Sequence, residues 1–335
     1  MTMSCLMLHW LERLRHAGII VPNASMMEFG PQDLDIPKNI VEASARRMMP
    51  AGRVAERMDA IFDGWGNPHR ACQADFYSLF GVTRYVSSDP FDSRADYRYD
   101  LNYFFPHFRR YDLVTNFGTA EHVFNIPAVF RTAHRLLRTG GVLLNVLPSH
   151  GDIDHGFYNI HPILYRGLAA HSGFEICDFQ YIDDIDLRTA AAIEADEKPY
   201  DFSALPIQLS DCGDERAFKR KVYEQYLLND HRRQSSKFSE RQRASMVFDY
   251  CYVALRKVRR GRFRIPYQHL RESSLAVHPP TPLRNMREFA TGWFRRESRK
   301  AIKRGINLAR RARPFIPDRV WSAASRLRRA LGVEV

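Results

Sequence analysis

The 335-residue sequence has few cysteines, none of them paired in a C-x-x-C spacing, and no long hydrophobic run. Its five cysteines are odd in number and far apart, so they form neither a disulfide framework nor a zinc-ribbon spacing, and we expect a reducing cytoplasm. No stretch reaches the roughly 18 consecutive apolar residues of a membrane-spanning helix. Residues 1–16 lack a basic segment ahead of their short apolar run, which predicts a cytosolic amphipathic helix rather than a signal peptide.

The positive charge is confined to one end of the chain. The sequence has 50 Lys and Arg against 38 Asp and Glu, a formal net charge of +12. Residues 281–335 contain 15 basic and 4 acidic residues and so account for +11, which leaves residues 1–280 at +1. A nucleic-acid enzyme normally carries a basic groove on its folded body. The near-neutral body therefore disfavours nucleic acid as the substrate.

Short apolar runs alternate with longer helical stretches, the pattern of a parallel sheet covered by helices. The candidate strands cover residues 25–30, 84–89, 111–116, 142–147, 174–181 and 250–255, and the candidate helices cover 39–61, 71–80, 126–137 and 163–170. The clearest unit is the strand, helix and strand from Tyr111 to Leu147, a βαβ unit with its crossover helix. We expect an α/β fold with a doubly wound, mostly parallel sheet. The charged stretch at about 183–245 is interpreted as a helical insertion before the last strand.

Polar residues cluster where the candidate strands end, which is the edge at which open α/β sheets bind ligands. The first strand leads into Glu28-Phe29-Gly30, and a glycine there lets the backbone approach a ligand closely. The second strand ends at Asp89, where a carboxylate can accept hydrogen bonds from ribose hydroxyls. The segments Asp100-Leu101-Asn102 and 116–122 bring further polar groups to the same edge.

The span Tyr111–Pro148 is the most informative: it reads YDLVTNFGTAEHV, then a helix, then LLRTGGVLLNVLP. Together with the strand-end residues it resembles the class I S-adenosylmethionine-dependent methyltransferases, over roughly residues 24–257. That family has a Rossmann-like sheet of seven strands, and its seventh strand lies antiparallel between the fifth and the sixth. The resemblance implies this fold, S-adenosylmethionine as the cofactor, and methyl transfer as the reaction.

The first loop departs from the family pattern. The resemblance implies that Glu28 and Gly30 line the methionine end of the cofactor, with Gln32 and Asp33 in the same loop. The family usually has three glycines here, whereas this sequence has only Gly30, followed by Pro31. One alternative is therefore a non-catalytic module that keeps the fold and has lost the cofactor.

The other implied cofactor residues follow the later strands. By resemblance, Asp89 would hold the ribose, and Asp100 and Leu101 would flank the adenine. The floor of the site near the methyl group would consist of Asn116, Phe117, Gly118 and Thr119.

The densest polar cluster is the segment 150–161, after the fifth candidate strand, where this fold faces the acceptor. An imidazole can take a proton from an acceptor hydroxyl or amine, and His155 is the first choice for that base. Tyr158 is predicted to position the acceptor or bond to it, and His122 completes the predicted catalytic set. Imidazoles and carboxylates also bind metals, but their spacing matches no defined metal site, so no metal is predicted. The alternative is a hydrogen-bonded loop that only shapes the pocket.

The C-terminal segment repeats one pattern twice. From Leu283 onward apolar residues recur at steps of three and four with basic residues between them, and a second such segment begins at Asp318. Basic amphipathic helices of this kind lie on anionic membrane surfaces; the alternative is a helix docked on the body. We divide the chain into a methyltransferase-like domain at 1–260 and a basic extension at 261–335.

These features together predict a cytoplasmic methyltransferase that modifies an oxygen or nitrogen of a small-molecule or saccharide-type acceptor. Residues 281–335 would hold it at the inner membrane surface. A second alternative to this function, beside the non-catalytic module, is an RNA methyltransferase recruited through its basic tail.

Overall fold

The computed structural model describes residues 2–34, 36–62, 73–151, 155–183, 199–204, 216–224, 227, 248–266 and 291. The chain divides into two compact units, Met1–Leu270 and Arg271–Val335, and every element described below belongs to the first. Most of the predicted insertion at 183–245 lies outside the described residues, as does nearly all of the basic extension at 261–335. The membrane contact predicted for 281–335 therefore stays a prediction.

Six strands form one sheet in the described part of the chain. Their bounds are β1 Ala24–Phe29, β2 Val82–Ser88, β3 Tyr111–Phe117, β4 Leu137–Gly151, β5 Phe174–Asp183 and β6 Phe248–Lys257. Their order across the sheet is β2-β1-β3-β4-β6-β5. The pairs β2–β1, β1–β3 and β3–β4 are parallel, whereas β6 is antiparallel to both of its neighbours. The last strand thus lies where the resemblance places it, antiparallel between the two strands that precede it in the chain.

A seventh strand of this sheet is not found among the described residues. In its place, Tyr97 forms a single parallel bridge with Ser88 at the edge of β2. The Tyr97 N–H donates to the Ser87 carbonyl at 3.0 Å, and the Asp89 N–H donates to the Tyr97 carbonyl at 3.1 Å. The chain then turns at Asp100 to Asn102, which line a cavity at the carboxyl edge of the sheet. Among the described residues the sheet therefore has six strands and one isolated bridge, and the seventh strand that the resemblance implies is not confirmed.

Two hydrophobic cores pack on opposite faces of the sheet, because successive strand residues point to opposite sides. Met26 on β1 and Leu113 on β3 belong to one core, and their neighbours Met27 and Val114 belong to the other. Both faces are buried, as expected for a sheet with parallel strands between two layers of helices. The strands therefore appear as short continuous apolar runs in the sequence.

The helices that cover the sheet are α1 Cys5–His16, α2 Lys38–Met48, α3 Val54–Phe62, α4 Gln73–Ser78, α5 Ile126–Leu136 and α6 Pro162–Ser172. None of the described helices is both long and apolar enough to cross a membrane. The single helix predicted over 39–61 is instead two helices, α2 and α3. The break falls at Pro50, which lacks an N–H and holds Met49 in an extended conformation.

The first helix, α1, begins at Ser4, whose hydroxyl accepts a hydrogen bond from the Met7 N–H. The sequence predicts an amphipathic helix here, but most of its side chains are buried. The Trp10 ring nitrogen donates to the Asp178 carboxylate on β5 at 2.8 Å, and Arg13 donates two hydrogen bonds to the same carboxylate. The helix therefore packs against the sheet with Trp10 and Arg13 paired to Asp178, and it contributes core rather than an exposed apolar face.

Candidate cofactor and acceptor site

A cavity of about 460 Å³ opens at the carboxyl ends of β1, β2 and β3. It lies where the chain order reverses, since β1 has β2 on one side and β3 on the other. Eight residues that the sequence predicts as site residues line this cavity: Gly30, Gln32, Asp89, Asp100, Leu101, Gly118, Thr119 and His122. Sequence reasoning missed other lining residues, such as Pro31, Ser88 and Val123, which have no distinctive chemistry.

Gly30 lies in the first loop and lines the cavity. Its φ is +73°, and its N–H donates to the Ser88 carbonyl at 2.9 Å. A Cβ at this position would lie 2.8 Å from the Thr119 Oγ1 atom. That hydroxyl donates to the Phe29 carbonyl at 2.7 Å, so it has little freedom to move. One glycine therefore serves both the tight turn and the close approach of backbone to a ligand.

We expect Gly30→Ala to lower the free energy of unfolding by about 1–2 kcal/mol for the left-handed backbone alone, and by more because of the contact with Thr119. Gly18→Ala is the matched control, because Gly18 has φ +67° and no atom within 4 Å of its added Cβ. Chemical unfolding of both variants measures the difference. Equal losses in the two variants would contradict the close packing inferred at Gly30.

Gln32 takes a structural part in the glycine-poor loop. Its side chain is buried, and its Nε2 donates to the Gly30 carbonyl at 2.8 Å and to the Phe117 carbonyl at 2.9 Å. The amide therefore joins the loop after β1 to the end of β3. This bridge fixes the loop without the additional glycines that the family pattern has.

The two carboxylate oxygens of Asp89 have different surroundings. Its Oδ1 accepts from the N–H groups of Phe91 and Asp92 at 2.7 and 2.8 Å, which fixes the turn after β2. Its Oδ2 lies on the cavity side, 3.7 Å from the position of a Cβ on Gly30. The residue is partly exposed. One oxygen thus holds the loop while the other can accept hydrogen bonds from a ligand.

The turn at Asp100 to Asn102 forms another wall of the cavity. Asp100 Oδ1 accepts from the backbone N–H and the side-chain amide of Asn102, both at 2.8 Å. Leu101 between them is buried at 3% exposure and lines the cavity. An apolar side chain between polar groups suits the face and edge of a planar base, as the resemblance implies for adenine.

Glu28 does not line the cavity, contrary to the prediction. Its side chain is fully buried, and the hydroxyls of Tyr77 and Tyr85 each donate to its carboxylate at 2.5 Å. Burial raises the pKa of this carboxyl to about 7, although the two tyrosine hydroxyls act in the opposite direction. Glu28 belongs to the core beneath the loop rather than to the ligand-facing surface.

Three other predicted cofactor residues also lie outside the cavity lining. Asp33 forms an ion pair with Arg94 at 2.6 Å. Asn116 is buried, and its Oδ1 accepts from the Ala120 N–H at 3.0 Å, which fixes the turn after β3. Phe117 is fully buried in the core. These side chains stabilise the structure around the site without lining the cavity. Of the predicted floor, only Gly118 and Thr119 line the cavity.

The structure brings His122 and His155 together at one end of the cavity. Their ring centroids lie 4.8 Å apart, and His122 lines the cavity directly. Glu121, which is fully buried, belongs to the same group: one ligand atom from each of the three residues lies within 4.8 Å of the others. From its residue type and position, Glu121 is equally consistent with a role in the site and with the favourable placing of an acidic residue before a helix.

Tyr158 lies near this group but has a different role from the one predicted. Its hydroxyl donates to the Phe124 carbonyl at 2.8 Å, and its N–H donates to the Glu121 carbonyl at 3.3 Å. Tyr158 is not among the cavity-lining residues. It therefore holds the loop that carries His155 and is not placed to act on a substrate.

A second cavity of about 490 Å³ opens at the same edge of the sheet, beyond β4 and β5. Its wall includes Phe218 and the cation Arg166, which lies over the Phe218 ring at 4.8 Å. Asp249 at the start of β6 accepts from the Tyr181 hydroxyl at 2.7 Å. The two cavities share no lining residue.

No family profile and no curated protein sequence matches the chain. A sarcosine dimethylglycine methyltransferase candidate from Galdieria sulphuraria is 13% identical with a TM-score of 0.39, over 75% of this chain and 84% of that one. The phosphoethanolamine N-methyltransferase 2 of Haemonchus contortus, in complex with S-adenosyl-L-methionine, is 14% identical with a TM-score of 0.33, over 75% of this chain and 53% of its own. The cyclase SpnF is 12% identical with a TM-score of 0.36, over 74% and 80%.

Likeness at these identities and TM-scores carries no functional conclusion, and a cyclase is among the matches. The strand order and the antiparallel position of β6 are observations of this chain itself. They are those of the class I S-adenosylmethionine-dependent methyltransferases, which the sequence resembles. The resemblance therefore extends to the fold, and the residues of the cavity are the evidence for the reaction.

Proposed function

We propose that the protein transfers a methyl group from S-adenosylmethionine to an oxygen or nitrogen of a small-molecule or saccharide-type acceptor. The observation that supports this most is the cavity at the reversal point of the sheet, whose lining combines a close-approach glycine, a strand-end carboxylate, an apolar side chain and the imidazole of His122. This is the arrangement that a nucleoside-containing cofactor and a nearby acceptor require.

The residues present fit S-adenosylmethionine part by part. Asp89 offers Oδ2 to the ribose hydroxyls, and Leu101 with Asn102 offers an apolar face and polar edges to the adenine. The backbone at Gly30 and Gly118 offers close approach to the methionine part. The bound cofactor would supply an electrophilic methyl group on a sulfonium centre. The glycine-poor loop does not exclude binding, because Gln32 fixes it from within the protein.

His122 and His155 are the groups that would accept a proton from the acceptor. A neutral imidazole can accept the proton of a hydroxyl or an ammonium group, which assists by about 10²–10⁴-fold when the geometry is right. Most of the acceleration in a methyl transfer of this kind comes from holding donor and acceptor in line. Residues 1–280 have a net charge of only +1, which favours a small or saccharide-type acceptor over nucleic acid.

Calorimetric titration of the full chain with S-adenosylmethionine tests the proposal. We expect one cofactor per chain, and displacement by S-adenosylhomocysteine, because the two ligands share the adenosine and the amino-acid part. Absence of heat together with absence of a thermal shift at millimolar cofactor would overturn the proposed function. Binding without methyl transfer to any of a panel of hydroxyl and amine acceptors would favour the non-catalytic module instead.

A further inference from the structure

We propose that Glu121, His122 and His155 form a binding site for a divalent transition-metal ion at the end of the cofactor cavity. Two imidazoles and one carboxylate come together there from two separate segments of the chain. Sequence spacing alone does not bring the three residues together, because 32 intervening positions separate His122 from His155. The part of the inference that concerns the acceptor rests on the proposed function, whereas metal binding itself does not.

The ligand types define the class of ion. Two histidines and one carboxylate are a set that holds Zn²⁺ in catalytic sites and other first-row ions such as Fe²⁺ and Co²⁺. Three protein ligands leave one or more coordination positions open for water or a substrate. Mg²⁺ prefers oxygen ligands and is not expected to compete.

The distances permit coordination after a small adjustment. Metal bonds to nitrogen and oxygen of about 2.0–2.1 Å place tetrahedral ligand atoms about 3.3 Å apart. The three ligand atoms lie within 4.8 Å of one another. Both histidines are exposed, so rotation about their side-chain bonds can close the remaining gap of at most about 1.5 Å.

The backbone around Glu121 holds the two segments together. The Phe157 N–H donates to the Glu121 carbonyl at 2.7 Å, and the Tyr158 N–H donates to the same carbonyl at 3.3 Å. A Cβ on Gly156 would lie 2.9 Å from the Glu121 carbonyl oxygen, so the loop passes directly over this residue. His155, which precedes Gly156, is therefore fixed next to Glu121 and His122.

The electrostatic setting also favours a cation. Glu121 is at 0% exposure, and a carboxylate removed from water is stabilised by a nearby positive charge. A divalent ion between Glu121 and the two imidazoles would supply that charge at the edge of the cavity.

This site narrows the class of acceptor. Because His122 lines the cavity, an acceptor in the cavity can reach the open coordination positions through a hydroxyl oxygen. Coordination lowers the pKa of a bound hydroxyl, so its proton can pass to water and leave an oxygen nucleophile. In the metal-loaded protein His155 is then a ligand, and an alcohol or saccharide hydroxyl is a better acceptor than an amine.

Titration of the untagged, chelator-treated full chain with Co²⁺ tests the metal site by visible absorption, with Zn²⁺ competition followed by calorimetry. We expect one ion per chain and the absorption of four- or five-coordinate Co²⁺, abolished by Zn²⁺ and unaffected by Mg²⁺. We expect His122→Ala and His155→Ala each to weaken Co²⁺ binding at least tenfold. His161→Ala is the control, since His161 is exposed, precedes α6 and lies outside the group.

Absence of a Co²⁺ absorption band, or unchanged Co²⁺ affinity in both His122→Ala and His155→Ala, would overturn the metal site. Circular dichroism of both variants, which we expect to match that of the wild type, tests whether these two exposed substitutions leave the fold intact. The titration with S-adenosylmethionine separates the two proposals: cofactor binding without Co²⁺ binding rejects only the metal site. Co²⁺ binding without cofactor binding rejects the proposed function and leaves the metal site standing.

Discussion

Asp89→Asn is expected to weaken S-adenosylmethionine binding about a hundredfold and to leave the fold intact. The amide keeps an oxygen for the N–H groups of Phe91 and Asp92, so the turn after β2 is retained. The cavity side then carries an NH₂ group in place of an anionic oxygen. Hydrogen bonds to a charged acceptor contribute about 1.5–3 kcal/mol, and about 1.4 kcal/mol corresponds to a tenfold change in Kd.

Asp96→Asn is the matched control for this substitution. The Asp96 carboxylate also accepts a backbone hydrogen bond, from the Ser87 N–H at 2.8 Å, but Asp96 does not line the cavity. Calorimetric titration of both variants and the wild type gives the affinities, and thermal unfolding without ligand shows that the stabilities are similar. An affinity of the Asp89 variant equal to that of the wild type would show that the ribose does not bind at β2.

The strands could be predicted from the sequence because both faces of the sheet are buried, whereas the antiparallel place of the last strand followed from the family resemblance. A short apolar run such as that of β3 is visible in any single sequence, and the βαβ rules restrict how such runs connect. The end of each strand also located the cavity, which is why Gly30, Asp89 and Gly118 were identified. To predict these residues, it is enough to know which edge of the sheet binds ligands.

The errors concern side chains whose partners are distant in the sequence. Glu28 had the residue type and position of a ligand-binding carboxylate, but Tyr77 and Tyr85 approach it from α4 and β2. The Asn116 side-chain amide donates to the Asn145 Oδ1 on β4 at 3.1 Å and does not line the cavity. Such pairings depend on tertiary packing, and local pattern contains no information about them.

The group of Glu121, His122 and His155 also depends on tertiary packing, but here the sequence pattern misses a site instead of predicting a wrong one. Taken singly, both histidines are candidates for acid–base chemistry, and the spacing of the polar residues in the segment 150–161 matches no defined metal site. The hydrogen bonds from Phe157 and Tyr158 to Glu121 bring the two segments together, and no spacing rule describes a loop contact of that kind. Ligand sets built from two loops are therefore visible only in three dimensions.

Glu28→Gln is expected to remove a strong pH dependence of stability. The carboxyl has a pKa of about 7 in the folded protein, because burial outweighs the hydrogen bonds from Tyr77 and Tyr85, against 4.5 when unperturbed. Between these values the folded chain holds a proton that the unfolded chain has lost. The contribution of the protonated carboxyl is therefore complete below pH 4.5 and is lost as the pH rises to about 7. The total change is about 3 kcal/mol, at about 1.4 kcal/mol per pKa unit.

Asp112→Asn provides a comparison of opposite sign. Burial acts to raise the pKa of Asp112, but hydrogen bonds from Ser25 and the charge of Arg138 outweigh it, so the pKa is lowered overall. Its contribution to stability is therefore present above its unperturbed pKa of 3.8 and is lost on acidification through the folded value. Removing this carboxylate should destabilise the protein most at neutral pH.

Urea unfolding of the wild type and both variants at pH values from about 3 to about 8 measures these differences. We expect Glu28→Gln to match the wild type closely at the acid end, because both side chains are neutral there. At the alkaline end the free energy of unfolding of the variant should exceed that of the wild type by up to about 3 kcal/mol. Only the wild type must there either bury a charged carboxylate or stay protonated at a pH above its unperturbed pKa. A difference that is constant across the range would mean that Glu28 does not titrate in it. Gly30 follows Glu28 by two residues. The protonation state of the Glu28 carboxyl would therefore determine the charge beneath the loop that approaches the cavity.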